Sequence, residues 1–419
     1  MPTRTRIQQA LPLHLTLAML PLLASRTALQ PWKSGSAHWN APSPDSSPHS
    51  LHKLRNAWQE LQSNPELAKA VEHEAEKRAA ELLTGVYHYN NSTFERDVPD
   101  PPVVLRWGNA RLLDYGASNA HAPVVFLIPS LINRYYILDL TRKLSFARYL
   151  REWGMRVFIA DWGTPSTAER HFNCALYITE ILAPMAEWIR ANTQGRITYG
   201  GYCMGGLLAL ALAQIRPELV DNLALFATPW DFSATHFPRF TRDESATQDL
   251  KRYIHTRDTI PPEFIHMLFH YANPQAFQSK LREFATMDGR SAATLDFLAI
   301  EQWVNDGVAM TRGVAEDCLI DWAQQNLPAK GEWRVGGQVI APKRLHIPCF
   351  VAAPQDDRIV PSHCALPLVT LLENCTVIEP RSGHVGMMAG RNRKSALWEP
   401  FYSWVMESTS QSRSPTLFL

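Results

Sequence analysis

Three short stretches of this 419-residue chain carry residue types and spacings suited to nucleophilic catalysis. The first is Gly201-Tyr-Cys203-Met-Gly205, which ends the apolar run from Ile197 and leads directly into a small-residue helical pattern. Glycines two positions either side of a nucleophile permit a tight strand-to-helix turn, because side chains there would meet neighbouring backbone. Cys203 is thereby expected to project at the amino end of a helix, where the dipole and free amides favour a thiolate. The second stretch, Gln355-Asp356-Asp357-Arg-Ile-Val-Pro361, follows the apolar run Val351-Ala-Ala-Pro. The third, Arg381-Ser-Gly-His384, follows Val377-Ile-Glu-Pro. A Gly-x-Cys-x-Gly box also suits an inert buried cysteine, so its reading depends on these partners.

The roles follow from the chemistry. His384 would take the proton from Cys203, and a carboxylate would fix the imidazole tautomer or assist the incoming nucleophile. Asp357 stands four residues before Pro361 and fits a D-x-x-V-P acid turn, whereas Asp356 reads as its solvated neighbour. The backbone N–H of Met204, directly after the nucleophile, is the first expected oxyanion donor. The second should come from the turn after the Val124–Ile128 run, near Ser130 or Leu131, with Leu131 taken as the candidate. The other fourteen histidines are read as ordinary surface or core groups.

These groups need elements to hold them. Val103–Trp107 and Ala110–Tyr115 read as a hairpin around Gly108-Asn109, followed by strands at Pro123–Ile128, Met155–Ala160, Ile197–Tyr202 and Leu223–Ala227. Helices are expected between them, from about Tyr135 to Trp153 and from about Arg170 to Asn192. Two further strands, Pro348–Ala353 and Cys375–Glu379, precede a closing helix from Ser395 to Met406. Apolar strands alternating with helices predict an α/β fold, a mostly parallel sheet covered by helices on both faces. Residues 232–330 interrupt the alternation with aromatic-rich helical periodicity and read as a helical cap insertion. The predicted organisation is an apolar segment and linker (1–50), amphipathic helices (51–100, with a break at Pro65), the first core part (101–231), the cap (232–330), the second core part (331–408) and a polar tail (409–419). Ligands bind beyond the carboxyl ends of parallel strands, where all three stretches fall.

Composition narrows the class. A formal net charge of +1 with dispersed charges gives no reason to expect nucleic acid as a partner. Six cysteines without C-x-x-C pairs argue against a zinc site or a disulfide-stapled domain, and so for a reducing compartment. Arg4 and Arg6 ahead of the apolar Leu11–Ala24 have the order of an export signal, but two prolines and His14 interrupt it. An apolar segment lying on a partner or hydrophobic surface is the other reading. The Asn90 and Asn91 glycosylation triplets matter only in a secreted protein.

The chain order nucleophile, acid, histidine is that of the α/β-hydrolase arrangement. Beyond it, Ile128-Pro-Ser-Leu-Ile-Asn-Arg-Tyr-Tyr-Ile-Leu-Asp-Leu140, Val157-Phe-Ile-Ala-Asp-Trp162, the Cys203 box, Ala227-Thr-Pro-Trp-Asp-Phe232, Asn326-Leu-x-x-x-Gly331 and Val335-Gly-Gly stand in the order of a known family. Over about residues 103–406 the chain resembles the polyhydroxyalkanoate synthases, which polymerise (R)-3-hydroxyacyl-CoA. The resemblance implies that Cys203 bears the growing acyl chain as a thioester, His384 is the general base, and Asp357 assists the 3-hydroxyl. It implies no cofactor beyond the coenzyme A thioester as substrate, and no metal. It further implies a homodimer at the surface of cytoplasmic polyester granules, with a second synthase subunit as a further partner. The chain departs from the long synthases in its shorter front end and in Arg358, where the family usually has histidine. After His384, V-G-M-M-A-G is closer to the two-component synthases and to intracellular depolymerases. Hydrolysis, by a depolymerase or an esterase with the same triad, is therefore the alternative, and a non-enzymatic granule-binding homologue is a third reading that the intact triad opposes.

Overall fold

Every residue of the runs Val124–Ile128, Ile197–Tyr202, Asn222–Phe226 and Cys349–Ala352 is buried, which is what a parallel sheet covered on both faces requires. The computed structural model describes residues 65–117, 119–234, 244–272, 274–289 and 291–410, with the single positions 19 and 56. The expected apolar segment Leu11–Ala24 (Met19 apart), the linker at 30–50 and the tail beyond 410 lie outside the described residues.

Eight strands form the main sheet: β1 Val103–Trp107, β2 Ala110–Asp114, β3 Val124–Ile128, β4 Arg156–Asp161, β5 Ile197–Tyr202, β6 Asn222–Phe226, β7 Cys349–Ala352 and β8 Cys375–Ile378. Their order is β1-β2-β4-β3-β5-β6-β7-β8. The hairpin β1–β2 is antiparallel and joins β4 antiparallel, while β4, β3, β5, β6, β7 and β8 run parallel. The strand order reverses between β3 and β5, the switch point where open α/β sheets leave a crevice. The exits of β3, β5, β7 and β8 therefore lie along one sheet edge.

The chain divides into two compact units, Met1–Phe94 with Asn273–Leu298 and Glu95–Ala272 with Ala299–Leu419. In the smaller one, the helix Pro65–Asn90 packs on the helix Pro274–Ala285 through Leu82, Val86, Leu281 and Phe284, and the rings of Phe284 and Phe297 stack at 4.4 Å. Pro65, where a break was expected, is the first residue of the described helix, a position at which its missing N–H costs nothing. The larger unit holds the sheet and the cap helices Glu244–His255, Pro262–Ala272 and Arg312–Glu316. A two-residue ribbon, Thr259–Ile260 against Met310–Thr311, joins cap segments too short to show a strand period in sequence.

The expected helix from Tyr135 to Trp153 is in fact two pieces, a 3-10 turn Tyr135–Leu138 and a helix Phe146–Glu152. Asp139 separates them. Its carboxylate is fully buried and accepts from Arg148 at 2.8 and 3.0 Å, from Arg96 at 3.3 Å and from the Tyr115 hydroxyl at 2.9 Å. Ser145 then caps the new helix by accepting from the Arg148 N–H. Breaking a buried pair leaves a charge without compensation, so Asp139→Ala is expected to lower stability by about 3–5 kcal/mol, read from urea unfolding midpoints. A loss within about 1 kcal/mol would show that the carboxylate does not anchor this break.

Candidate active site

Cys203 stands between β5 and the helix Met204–Ile215 with φ 56° and ψ −127°, a left-handed conformation rare for a residue with a side chain. Such strain costs on the order of 1–3 kcal/mol and persists only where the surroundings over-determine it. Here they do: the Cys203 N–H donates to the Phe226 carbonyl at 2.8 Å, and helix and strand close on each other through glycine. A Cβ on Gly201 would collide with the backbone of Gly206, and one on Gly205 with the Ile128 carbonyl. Met204 opens the helix, so its N–H has no acceptor within it and is available to an oxyanion.

The candidate acid and base arrive from β7 and β8. Asp357 is buried in the turn after β7, while Asp356 and Arg358 are exposed. Its Oδ1 accepts from the N–H groups of Ile359 and Val360, both at 2.8 Å, and its Oδ2 holds His384 Nδ1 at 2.7 Å. The D-x-x-V-P spacing thus has a physical reason: the turn folds back so that its own amides orient the carboxylate. His384 opens the helix His384–Ala389, and its ring lies 5.1 Å from that of Tyr202, whose hydroxyl donates to the His384 carbonyl at 3.2 Å. Burial pulls the imidazole pKa down, but the charge of Asp357, the sulfur of Cys203 and hydrogen bonds to both outweigh it and hold the group well above its ordinary value. With Nδ1 on Asp357, Nε2 is left for Cys203. The structure thus brings Cys203, His384 and Asp357 together from three strand ends.

Leu131 packs in the main core, whereas its neighbours Ser130 and Ile132 line the cavity at Cys203. The Ile132 N–H donates to Ser130 Oγ at 3.3 Å, and Ser130 Oγ itself lies 3.7 Å from Met204 Sδ. With the Ile132 amide so engaged, the Leu131 amide remains the oxyanion candidate of this loop.

Two compartments of about 700 Å³ each, mouths included, meet at Cys203. Ile132, Cys203, Ile265, Phe269 and Ile359 belong to both. One compartment carries the polar groups Asn133, Arg134, His266 and His384 beside Trp303. The other is apolar, walled by Leu207, Phe232, Leu319 and Trp322, with Cys318 its one further thiol among the described residues. The sequence analysis did not single out Ile265, His266 or Ile359. Residues 262, 265, 266 and 269 do share one helix face, but that 3.6-residue period also describes any core-facing helix.

A profile of the alpha/beta hydrolase fold family matches residues 123–390. Among curated proteins, the chain is similar to the poly(3-hydroxyalkanoate) polymerase subunit PhaC of Haloferax mediterranei, 28% identical over 75% of this chain and 65% of that protein. The alignment thus spans less than two thirds of that relative's length. It is also similar to the subunits of the same name from Haloarcula marismortui, 25% identical over 75% of this chain and 70% of the relative, and from Synechocystis sp., 27% identical over 68% and 77%.

The raised His384 value has a sign that can be measured. The folded state holds that proton more tightly than the unfolded chain, so the contribution is complete below about pH 6.5 and is lost as pH rises through the folded value. Urea midpoints should therefore fall as pH rises above about 6.5, and Asp357→Asn, which removes the largest favourable cause, should flatten that fall. Equal slopes for the two proteins would mean that Asp357 does not hold the imidazolium.

Proposed function

The chain belongs to the alpha/beta hydrolase fold family, and we propose that within it the protein is a polyhydroxyalkanoate synthase, an acyltransferase that polymerises (R)-3-hydroxyacyl units from coenzyme A thioesters and releases coenzyme A. The observation that carries this reading is a cysteine on the strained elbow, with an imidazole held charged beside it by Asp357. Similarity to polymerase subunits over most of the chain supports it.

In this reading the Cys203 thiolate attacks the thioester carbonyl, and the oxyanion is held by the Met204 and Leu131 amides. The carbon–sulfur bond to coenzyme A then breaks, and the departing thiolate takes the proton that His384 carries. One thioester replaces another, so the exchange is nearly isoenergetic, which an oxygen nucleophile would not offer. Elongation needs a 3-hydroxyl to attack the Cys203 thioester. His384 accepts the hydroxyl proton, an ester bond forms, and the cysteine sulfur leaves as thiolate. Asp357 steadies the imidazolium in both halves. The apolar compartment beside Cys203 suits the alkyl part of the acyl unit, and the compartment bearing Arg134 and Asn133 suits its polar, coenzyme-linked side.

The chemistry needs no cofactor beyond the coenzyme A thioester as substrate. In this reading the working enzyme sits at the surface of cytoplasmic polyester granules as a homodimer, with a second synthase subunit as the further partner to seek. Among the described residues no helix is long and apolar enough to cross a membrane.

Two measurements test the reading. Incubation with (R)-3-hydroxybutyryl-CoA should release free coenzyme A together with insoluble polymer; release with only soluble hydroxy acid would instead establish the hydrolase. Cys203→Ala should lose about 10⁴-fold or more in rate, because members of a triad act as a unit. A variant retaining full activity would remove Cys203 from the mechanism.

A further inference from the structure

The loop that leaves β3, residues 129–134, is bound on its outer side to a short strap of the cap, residues 303–308. Trp303 Nε1 donates to the Arg134 carbonyl at 2.8 Å, and the Val308 N–H donates to the Ile132 carbonyl at 3.0 Å. Asn133 and Gly307 pair as an antiparallel bridge between these two bonds. Asp306 receives Arg134 Nε at 3.4 Å and the Tyr136 hydroxyl at 3.0 Å. On its inner side the same loop is tied to the core, where Trp162 Nε1 donates to the Pro129 carbonyl at 3.1 Å. The segment carrying the Leu131 amide is thus held to the core by the Trp162 bond and the Leu131 side chain, and to the cap by the attachments from Ile132 to Arg134.

The physical consequence concerns preorganisation. An oxyanion donor acts only when it is fixed before charge develops, and a displacement of about 1 Å can cost up to 10²-fold in rate. The β3 loop has no helix of its own, and the carbonyls either side of Asn133 are occupied by cap donors.

We propose that Trp303 and Asp306 are positioning residues for the oxyanion site: the cap strap sets the β3 loop, and with it the Leu131 amide, so that the site is complete only when the strap is docked. This rests on the reading that Cys203 is acylated. The strap contacts neither Cys203 nor the acid–base pair through any of these bonds, so its loss slows acylation without altering the nucleophile. Trp303 also lines the compartment that carries Asn133 and Arg134, and its ring and its N–H can be separated by substitution.

The test compares two reactions of the same thiol. Acylation by p-nitrophenyl butyrate in a single turnover passes through an oxyanion, whereas alkylation by iodoacetamide displaces iodide and forms none. Trp303→Phe keeps the ring and removes the donor; Asp306→Ala removes the acceptor, and Asp306→Asn restores an acceptor for Tyr136. We expect Trp303→Phe and Asp306→Ala to slow acylation about 10- to 100-fold at saturating ester, with KM and alkylation each within about twofold of the parent. Asp306→Asn should recover part of the acylation rate. Acylation at the parent rate in both variants would overturn the proposal. So would acylation and alkylation falling together, or an effect carried by KM alone. Should either variant fail to fold, Tyr136→Phe with Asp306→Asn decides by the same two rates. A parent protein that alkylates but never acylates would reject the proposed function itself, a result separate from any ranking of the variants.

Discussion

Cys203 occupies a backbone conformation that residues with side chains avoid, and the rest of the site is arranged around keeping it there. The turn is possible because Gly201, Gly205 and Gly206 let the β5 strand, the β3 exit and Thr228 approach to distances no Cβ would allow. That close approach brings the amino end of the Met204–Ile215 helix over the carboxyl end of the sheet. The strain is thus a positioning device, in which packing holds a sulfur clear of the sheet and beside an unpaired amide.

The electrostatics follow from the same edge. Asp357 is buried with each oxygen engaged, one by its own turn and one by His384. A buried carboxylate so arranged makes the neighbouring imidazole a charged group despite its burial, which opposes charge. Sulfur chemistry benefits because a protonated imidazole stabilises a thiolate and can then hand its proton to a departing thiolate. Around this pair the cap contributes little polarity. Ile265, Phe269 and Ile359 separate an apolar compartment from a more polar one, with the sulfur at their junction.

Much of this was legible in the residues. The strands, their parallel pairing and the three strand-end stretches follow from apolar runs of period-free burial and from the punctuation after each run. Asp357 was separable from Asp356 because the D-x-x-V-P turn places one aspartate inward, and the structure buries that one and exposes the other. The break at Asp139 was not legible. Its cause is a buried carboxylate shared among Arg96, Tyr115 and Arg148, partners up to 43 positions away in the chain.

Local chemistry therefore determined the class of fold and pointed to Cys203, Asp357 and His384 as the candidate nucleophile, acid and base, because each rests on a motif within a few residues of a strand end. Tertiary structure alone decided which residues wall the two compartments and how the β3 loop is held. Those depend on Trp303, Asp306 and Val308 meeting a loop some 170 positions earlier. Hydrogen bonds and packing between distant segments leave no period in a sequence, because any donor at the right place in space would serve.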